Sequence, residues 1–226
     1  QAWMTGDGPK AIFGDAVTWL RKRQALLPGI TTLERLIGDG RNAADARAVV
    51  ENYHVGGIMI GSWTDLSMLT DGSLPDIASA GPLPLAVSVD EEGGRVSRLS
   101  SLIGATPSAR VLAQTKTPDE VYQLALDRGR QMRGLGITID FAPVVDVSNQ
   151  GDDTVIGDRS FSNDPAVVTT YAGAYARGLR DAGLLPVLKH FPGHGHGSGD
   201  SHTAGVVTTP PLDQLMQSDL VPYRTL

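Results

Sequence analysis

The sequence contains no cysteine. This absence excludes disulfide bonds, thiolate nucleophiles and cysteine-ligated zinc, but it does not decide between cellular compartments. No uninterrupted apolar run reaches the ~18 residues that a transmembrane helix requires. An excess of basic residues is also missing, because the formal net charge is −6. We therefore expect neither a transmembrane segment nor a nucleic-acid partner, which would favour a basic surface.

The remaining composition is that of a folded globular domain. Apolar residues make up 41% and charged residues 19% of 226 residues, a length that can bury a large core. The chain starts at Gln1 rather than at a methionine, without a basic-then-apolar leader. Its last residues, S-D-L-V-P-Y-R-T-L, contain no helix stop. We therefore expect the chain to begin after a processing site or inside a longer protein, and to end at a cut.

Four of the five histidines lie in one glycine-rich stretch, K-H-F-P-G-H-G-H-G-S-G-D-S-H, which runs from Lys189 to His202. Three interpretations are open for this stretch. It could bind a metal ion through its histidines and Asp200, it could be an acid–base site in which Asp200 orients His202, or it could be a solvated loop without a special role. A carboxylate two residues from an imidazole on a turn can orient the ring and stabilise its charged form.

The metal interpretation is the least favoured of the three. Metallo-β-lactamases use the pattern His-x-His-x-Asp-His, with one residue before the aspartate and none after it. Here three residues separate His196 from Asp200, and one separates Asp200 from His202. The spacing therefore argues against this type of zinc centre.

Short apolar runs alternate with helical patterns after residue 41. Apolar runs typical of buried parallel strands occur at 56–61, 83–90, 137–147 and 184–190. Helices are predicted from Asn42 as an N-cap, from the capping box T-P-D-E at 117–120, from Asp164-Pro165 to a C-cap at Gly183, and after Pro211. The alternation predicts an α/β fold with a parallel sheet and helices outside it.

Polar residues at the ends of different strands favour a barrel over an open sheet. Asp90, Asp140 or Asp146, and Lys189-His190 all fall at or just past the C-terminal ends of predicted strands. A barrel collects its chemistry at that rim from many strands, whereas an open sheet concentrates it near one switch point. We predict a (β/α)8 TIM-type barrel that is incomplete here, with an unclear first strand and absent last strands, because a complete barrel needs ~250 residues.

The residues at these strand ends have alternative roles. Asp90 could cap the following Gly-Gly turn, or it could bind substrate hydroxyls or act as a nucleophile. Arg159 could reach the rim or pair only with Asp158. Lys189 and His190 end an apolar strand, where an unpartnered lysine is costly to bury, and this favours a functional role for them.

Four strings occur in a fixed order between residues 41 and 226: V-S-V-D-E-E-G-G-R-V-S-R-L, I-D-F-A-P-V-V-D-V, I-G-D-R-S-F and K-H-F-P-G-H-G-x-x-x-x-D-S-H. Together they resemble glycoside hydrolase family 3, in its β-N-acetylhexosaminidase (N-acetylglucosaminidase-like) branch and close to its actinobacterial members. The resemblance implies that 41–226 is the N-terminal part of the family's barrel domain, after a poorly defined segment at 1–40. It also implies retaining hydrolysis of terminal β-linked N-acetylglucosamine from peptidoglycan-type or chito-oligosaccharides, without a metal or other cofactor.

The resemblance also assigns roles to individual residues. It implies that His202 is the catalytic acid/base, assisted by Asp200. It implies that the sugar is bound by Asp90, Arg98, Arg159, Lys189 and His190. The family's nucleophilic aspartate belongs to a later motif of the Ser-Asp-Asp-Leu type, which the sequence lacks. We therefore expect the nucleophile beyond Leu226, which leaves the activity of the 226 residues alone in question.

Two alternative functions remain. A non-catalytic or degenerate family member would keep the sugar-binding residues without performing chemistry. A metal-dependent hydrolase would use the histidine-rich stretch. The compartment is open, because bacterial relatives act in the cytoplasm or at the cell envelope.

Overall fold

A computed structural model describes residues 41–197 and 209–226. The described chain belongs to two compact units. The first contains residues 41–59 and 63–85, and the second contains residues 60–62, 86–197 and 209–226. The prediction of an ill-defined segment at 1–40 concerns residues outside this description, and the division at residue 41 stays a prediction.

The described part of the first unit starts with the predicted helix. Helix α1 spans Ala43–Tyr53, and the side chain of its N-cap Asn42 accepts a hydrogen bond from the N–H of Asp45 at 3.0 Å, which confirms the predicted cap. The elements that follow are strand β1 (Gly57–Ile60), whose last residue is assigned to the second unit, a 3₁₀ helix (Leu66–Leu69) and helix α2 (Ser73–Ser79). Residues of α1, the 3₁₀ helix and α2 are buried, among them Val50, Met68 and Ile77.

The second unit is built on parallel strands. Its strands are β2 (Ala86–Val89), the short antiparallel pair β3 (Glu91–Gly93) and β4 (Val96–Ser97), β5 (Ile139–Asp140) and β6 (Leu185–Pro186). β5 lies between β2 and β6 and is parallel to both, with Ile139 opposite Ser88 on one side and Leu185 on the other. The carboxyl ends of β2, β5 and β6 therefore meet at one edge of the sheet.

The third and fourth predicted strands are shorter than the sequence suggested. Of 137–147 only Ile139–Asp140 forms a strand, and of 184–190 only Leu185–Pro186 does. Pro143 and Pro186 have no N–H to donate to a ladder, which limits both strands. The two segments still run side by side afterwards, because the N–H of Val145 donates to the carbonyl of Lys189 at 2.8 Å. The peptide bonds Ala142–Pro143, Lys189–His190 and Phe191–Pro192 are cis.

Helices follow the strands in the second unit. They are α3 (Ser100–Ile103), α4 (Ala109–Thr115), α5 (Pro118–Gly134), a 3₁₀ helix (Gly157–Arg159), α6 (Pro165–Asp181), α7 (Leu212–Gln217) and α8 (Val221–Thr225). The last two confirm the helical prediction after Pro211. No helix among the described residues is both long and apolar enough to cross a bilayer.

The two long helices begin as the sequence predicted and pack closely together. In α5 the capping box is complete, because Thr117 accepts from the N–H of Glu120 and Glu120 accepts from the N–H of Thr117. In α6 the side chain of Asp164 accepts from the N–H of Ala166 at 2.8 Å. A Cβ at Gly178 of α6 would lie 2.5 Å from the carbonyl oxygen of Tyr122, so only glycine permits this approach to α5. The parallel strands with packed helices confirm the predicted α/β class.

Candidate active site

A partly buried lysine joins two carboxylates at the carboxyl end of β2. Nζ of Lys189, which follows β6, lies 2.5 Å from Oδ1 of Asp90 and 2.6 Å from Oε1 of Glu92. The side chain of Lys189 is 14% exposed, that of Glu92 5% and that of Asp90 23%. The strand-end lysine therefore has the carboxylate partner that its position predicted. Of its two partners, Asp90 is more exposed to solvent than Glu92.

Glu92 also binds Arg159 through both of its oxygens. Nε of Arg159 donates to Oε2 at 2.8 Å and Nη2 donates to Oε1 at 2.9 Å, while Nη1 donates to the carbonyl of Val155 at 2.9 Å. Burial acts to raise the pKa of Glu92, but the hydrogen bond from Arg159 and the charge of Lys189 outweigh it, so the pKa is lowered. Burial likewise acts to lower the pKa of Arg159, and the hydrogen bond to Glu92 outweighs it and raises the pKa. Both groups are therefore charged at neutral pH.

The second side chain of the Lys-His pair points to another acid. Nδ1 of His190 lies 2.6 Å from Oδ2 of Asp146, and Nε2 lies 3.0 Å from Nη2 of Arg159. Asp146 is fully buried, and its Oδ1 accepts from the N–H of His194 at 2.7 Å. Asp146 is thus engaged with the histidine segment and has no open face for attack on a substrate.

These contacts form one continuous chain of six side chains. We call it the strand-end cluster, and its members in order are Asp146, His190, Arg159, Glu92, Lys189 and Asp90. It contains four of the predicted sugar-binding residues, and it also contains Glu92, which the sequence analysis missed.

The cluster keeps some hydrogen-bonding capacity unused. A guanidinium has five N–H groups and an ammonium three. Within the described part of the chain, the contacts of Arg159 use four of its N–H groups and those of Lys189 use two. Oδ2 of Asp90 has no hydrogen-bond partner among the same residues. Two donors and one carboxylate acceptor of the cluster are therefore without a partner among the described residues.

The chain matches a known family over most of its length. A family model described as "Glycosyl hydrolase family 3 N terminal domain" matches residues 21–226. The chain belongs to glycosyl hydrolase family 3. A second model, "Domain of unknown function (DUF4158)", matches residues 1–40. The predicted family is thereby confirmed, together with its barrel-type α/β fold.

The similar proteins within glycosyl hydrolase family 3 carry related names. "Beta-hexosaminidase LpqI" of Mycobacterium tuberculosis is 73% identical over 205 residues, covering 89% of this chain and 52% of its own length. A solved family 3 glycosyl hydrolase of Mycobacterium smegmatis has a TM-score of 0.80 and 75% identity over 87% of this chain and 61% of that one. A family 3 β-N-acetylglucosaminidase from Paenibacillus has a TM-score of 0.75 and 33% identity over 86% of this chain and 39% of that one. The chain therefore spans about half, 52%, of the length of the M. tuberculosis relative.

Arg98 is the predicted sugar-binding residue whose charged group lies apart from the strand-end cluster. Its backbone N–H donates to Oε2 of Glu91 at 2.8 Å. Among residues 41–197 and 209–226, its guanidinium makes no hydrogen bond or ion pair with a cluster member. Arg95 from the same turn pairs with Asp158 at 3.0 Å, so Asp158 is not the partner of Arg159. The sugar-binding role of Arg98 stays a prediction.

The predicted acid/base pair, Asp200 and His202, lies outside the described residues, so its role stays a prediction as well. The preceding histidines are described. Nδ1 of His196 lies 3.1 Å from both carboxylate oxygens of Asp219, whose side chain is 2% exposed. In the part of the chain that the structure describes, no group of three or more metal-binding side chains is found.

Two carboxylates that the sequence analysis missed fix the segments around the cluster. Glu91 is fully buried and accepts from Arg128 at 2.6 Å and from the N–H groups of Arg98 and Leu99. Asp219 lies against Gly193, where a Cβ would come within 2.5 Å of the aspartate.

The period of a strand could have revealed Glu92, because side chains two residues apart lie on the same face and Glu92 is two residues after Asp90. For Asp219 the sequence offers no comparable pattern.

Another buried acid accepts a hydrogen bond from the backbone of β3. Asp140 at the end of β5 is fully buried, and its Oδ1 accepts from the N–H of Glu91 at 3.0 Å. Burial raises the pKa of Asp140 well above its usual range, and the charge of Glu91 adds to this, against the hydrogen bond from the Glu91 N–H. Burial, together with Asp146 and Asp219, also raises the pKa of Tyr223. Burial therefore favours the protonated form of Asp140, whereas Glu91 and Glu92 are paired with cations.

Proposed function

We propose that this protein is a retaining β-N-acetylhexosaminidase that removes terminal β-linked N-acetylglucosamine from peptidoglycan-type or chito-oligosaccharides. The observation that supports it best is the set of unused groups on the strand-end cluster: one N–H of Lys189, one N–H of Arg159 and Oδ2 of Asp90. Two donors and an acceptor close together suit neighbouring hydroxyls, which both donate and accept. The relatives named β-hexosaminidase and β-N-acetylglucosaminidase support the same substrate class.

The charges of the cluster favour a neutral sugar over an anion. Lys189 and Arg159 carry two positive charges, and Asp90, Glu92 and Asp146 carry three negative ones. Both cations already pair with carboxylates at 2.5–2.9 Å, so they have no surplus charge to offer a phosphate. This balance, with the net charge of −6, also argues against nucleic acid as a partner.

We assign the acid/base role to His202 with Asp200 as its orienting carboxylate, on the sequence pattern. In the first step a nucleophilic carboxylate bonds to the anomeric carbon, the glycosidic C–O bond breaks, and the imidazolium gives its proton to the departing oxygen. In the second step the neutral imidazole takes a proton from water, whose oxygen bonds to the anomeric carbon as the carboxylate leaves. The nucleophile is not one of Glu92 and Asp146, because both are buried and engaged.

A turnover assay tests this proposal, with the protein as its gene encodes it, including any sequence on either side of these 226 residues. p-Nitrophenyl N-acetyl-β-D-glucosaminide is the substrate. We expect His202→Ala to lower kcat by roughly 10²–10⁴-fold, the usual contribution of a general acid/base. The matched control is His54→Asn, which changes an exposed histidine in the first unit and keeps a residue that tolerates its positive φ. Equal activity of His202→Ala and the unsubstituted protein would contradict the acid/base assignment.

Two further measurements separate the alternative functions. Calorimetry with N-acetylglucosamine that shows binding by a protein without turnover would identify a non-catalytic sugar-binding member. Loss of turnover after treatment with a chelator, and its return with added metal, would identify a metal-dependent hydrolase. Proton NMR of the first released sugar tests retention, because the β-anomer must appear before the α-anomer.

A further inference from the structure

His190 contacts two groups of opposite hydrogen-bonding character. On one side, Nδ1 lies 2.6 Å from a carboxylate oxygen of Asp146. On the other side, Nε2 lies 3.0 Å from Nη2 of Arg159. An ionised carboxylate only accepts hydrogen bonds, and a guanidinium only donates them. The two partners therefore require a proton on Nδ1 and a lone pair on Nε2.

We propose that His190 works in this site as a neutral imidazole with its proton on Nδ1, and that its Nε2 lone pair fixes the orientation of the Arg159 guanidinium. His190 is then a positioning residue and not a second proton donor of the reaction. The consequence for sugar binding rests on the proposed function, whereas the tautomer and the contact with Arg159 do not.

The other protonation states are disfavoured by the same distances. In the neutral Nε2–H tautomer, the Nδ1 lone pair would face a carboxylate oxygen at 2.6 Å, and Nε2–H would face an N–H of Arg159 at 3.0 Å. In the imidazolium, the contact with Asp146 would persist, but Nε2–H would still face the guanidinium, and two cations would lie together. Arg159 cannot relieve this conflict by losing a proton, because a guanidinium stays charged in proteins.

Asp146 is held in place for this role. It is fully buried, and its Oδ1 accepts from the N–H of His194 at 2.7 Å and from that of His190 at 3.4 Å. Its Oδ2 is thereby directed at the ring of His190 and at no other described group. A buried carboxylate that orients the far nitrogen of a histidine selects its tautomer.

Three residues fix the guanidinium of Arg159 by hydrogen bonds. Glu92 binds Nε and Nη2, Val155 accepts from Nη1, and His190 accepts the second N–H of Nη2. Within the described residues one N–H on Nη1 is left over, and its direction is set by the other four contacts. If Arg159 binds the sugar, this N–H is the group that reaches it, and His190 acts on binding through Arg159.

Nitrogen NMR of the uniformly labelled, unsubstituted protein tests the tautomer without substrate. We expect the resonances of His190, assigned by their absence from H190Q, to show one protonated nitrogen, Nδ1, and one unprotonated nitrogen, Nε2, at neutral pH. A proton on Nε2, or protons on both nitrogens, would overturn the inference. The tautomer is read from the unsubstituted protein, H190Q serves only to assign the resonances, and no activity is needed.

Two substitutions of similar size test the positioning role. Glutamine can bring its carbonyl oxygen near the position of Nε2 and so accept from Arg159, whereas asparagine ends near Nδ1 and cannot. We expect KM to rise at least about tenfold more in H190N than in H190Q, and the Kd for N-acetylglucosamine to do the same. This factor corresponds to the loss of one hydrogen bond to a charged group. Thermal melts of both variants show that the difference is not one of folding.

The outcomes distinguish this inference from the proposed function. Equal losses of kcat of roughly 10²–10⁴-fold in H190N and H190Q, with KM unchanged, would make His190 a proton-transfer group and overturn the inference. If the unsubstituted protein neither binds nor hydrolyses aminosugars while NMR shows the Nδ1–H tautomer, the proposed function fails and the assignment of His190 stands.

Discussion

Nζ of Lys189 lies 2.5 Å from Oδ1 of Asp90, although 99 positions separate the two residues along the chain. Asp90 follows β2 and Lys189 follows β6, and β5 lies between these strands. Strands two places apart in a sheet are about 10 Å from each other, a gap that an aspartate alone cannot bridge. The long stem of the lysine spans the end of β5 and joins the two outer strands of this group.

Removing this lysine is expected to destabilise the second unit. Lys189→Met leaves the buried Glu92 with one cation fewer and leaves Asp90 without its partner, and we expect a loss of about 3 kcal/mol in the free energy of unfolding. Adding Asp90→Asn to Lys189→Met is expected to cost less than the two single changes together, because the pair is lost only once. Urea denaturation of the single and double variants measures both effects.

Lys116→Met is the matched control for that experiment. Among the described residues Lys116 is in no ion pair, and its charge is the smallest of the influences on the pKa of the exposed Glu120, so a change within about ±0.5 kcal/mol is expected. Strictly additive effects of Lys189→Met and Asp90→Asn would show that the 2.5 Å contact contributes nothing to stability.

Two arginines on one helix provide a test of the buried ion pair. Arg128 of α5 pairs with the fully buried Glu91 at 2.6 Å, whereas Arg130 pairs with Asp127 at 3.5 Å on the surface, with both side chains about two-thirds exposed, 66% and 67%. Arg128→Met leaves an uncompensated buried charge, so we expect a loss of roughly 3–5 kcal/mol in unfolding free energy. Arg130→Met is expected to change it by less than about 1 kcal/mol. Similar losses in the two variants would contradict the importance of the buried pair.

The pH dependence of stability is expected to reveal Asp140. Its folded-state pKa is raised well above the usual range by burial and by Glu91. Its contribution to stability is therefore fully present below the unfolded-state pKa of about 4 and is lost as the pH rises toward the folded-state value. Asp140→Asn cannot ionise and keeps an oxygen for the N–H of Glu91.

The measurement compares unfolding free energies of Asp140→Asn and the unsubstituted protein from mildly acidic to mildly alkaline pH. We expect the difference to move in favour of Asp140→Asn as the pH rises, by at most about 1.4 kcal/mol per pH unit for one proton. Parallel curves for the two proteins would show that Asp140 has the same pKa in the folded and unfolded states. Asp140→Ala, which removes the acceptor, is expected to lose about 1–3 kcal/mol at every pH.

The glycines after His190 are expected to differ sharply from a helical glycine in their tolerance of alanine. A Cβ at Gly195 would overlap the carbonyl oxygen of Val147, and this backbone atom follows a segment that is hydrogen-bonded to the chain segment beside it and cannot move without disturbing Asp146. Gly195→Ala should therefore lower the melting temperature markedly. Gly134→Ala at the end of α5, where a Cβ meets nothing within 4 Å, should be neutral or stabilise by up to about 1 kcal/mol. Equal melting temperatures for the two variants would contradict the close approach at Gly195.

Local sequence patterns predicted the helices well because their causes are local. Asn42, the capping box at Thr117 and Asp164-Pro165 all act within one turn of the residues they cap, and each was found where the sequence put it. Arg128 was missed, although it falls on the stripe formed by Val121, Ala125 and Met132. A charged residue on such a stripe indicates a buried partner, and its identity, Glu91, depends on the tertiary fold.

The members of the strand-end cluster other than Glu92 were predictable, but their pairings were not. A parallel sheet brings strand ends to one edge, so Asp90, Lys189 and His190 could be placed together from the chain alone. Which acid each cation binds depends on side-chain geometry across the sheet, so the sequence alone allows Arg159 to bind either Asp158 or a group at the rim. The structure pairs Arg159 with Glu92. Side chains two residues apart in a strand lie on the same face, so this period would have placed Glu92 beside Asp90.

The neighbouring side chains of Lys189 and His190 reach opposite ends of the strand-end cluster, at Asp90 and Asp146, while the carbonyl between them is tied to Val145. A single inserted or deleted residue just before this dipeptide would send both side chains to wrong neighbours at once. Libraries that vary the rim of this protein should therefore keep positions 187–190 unaltered and introduce diversity elsewhere.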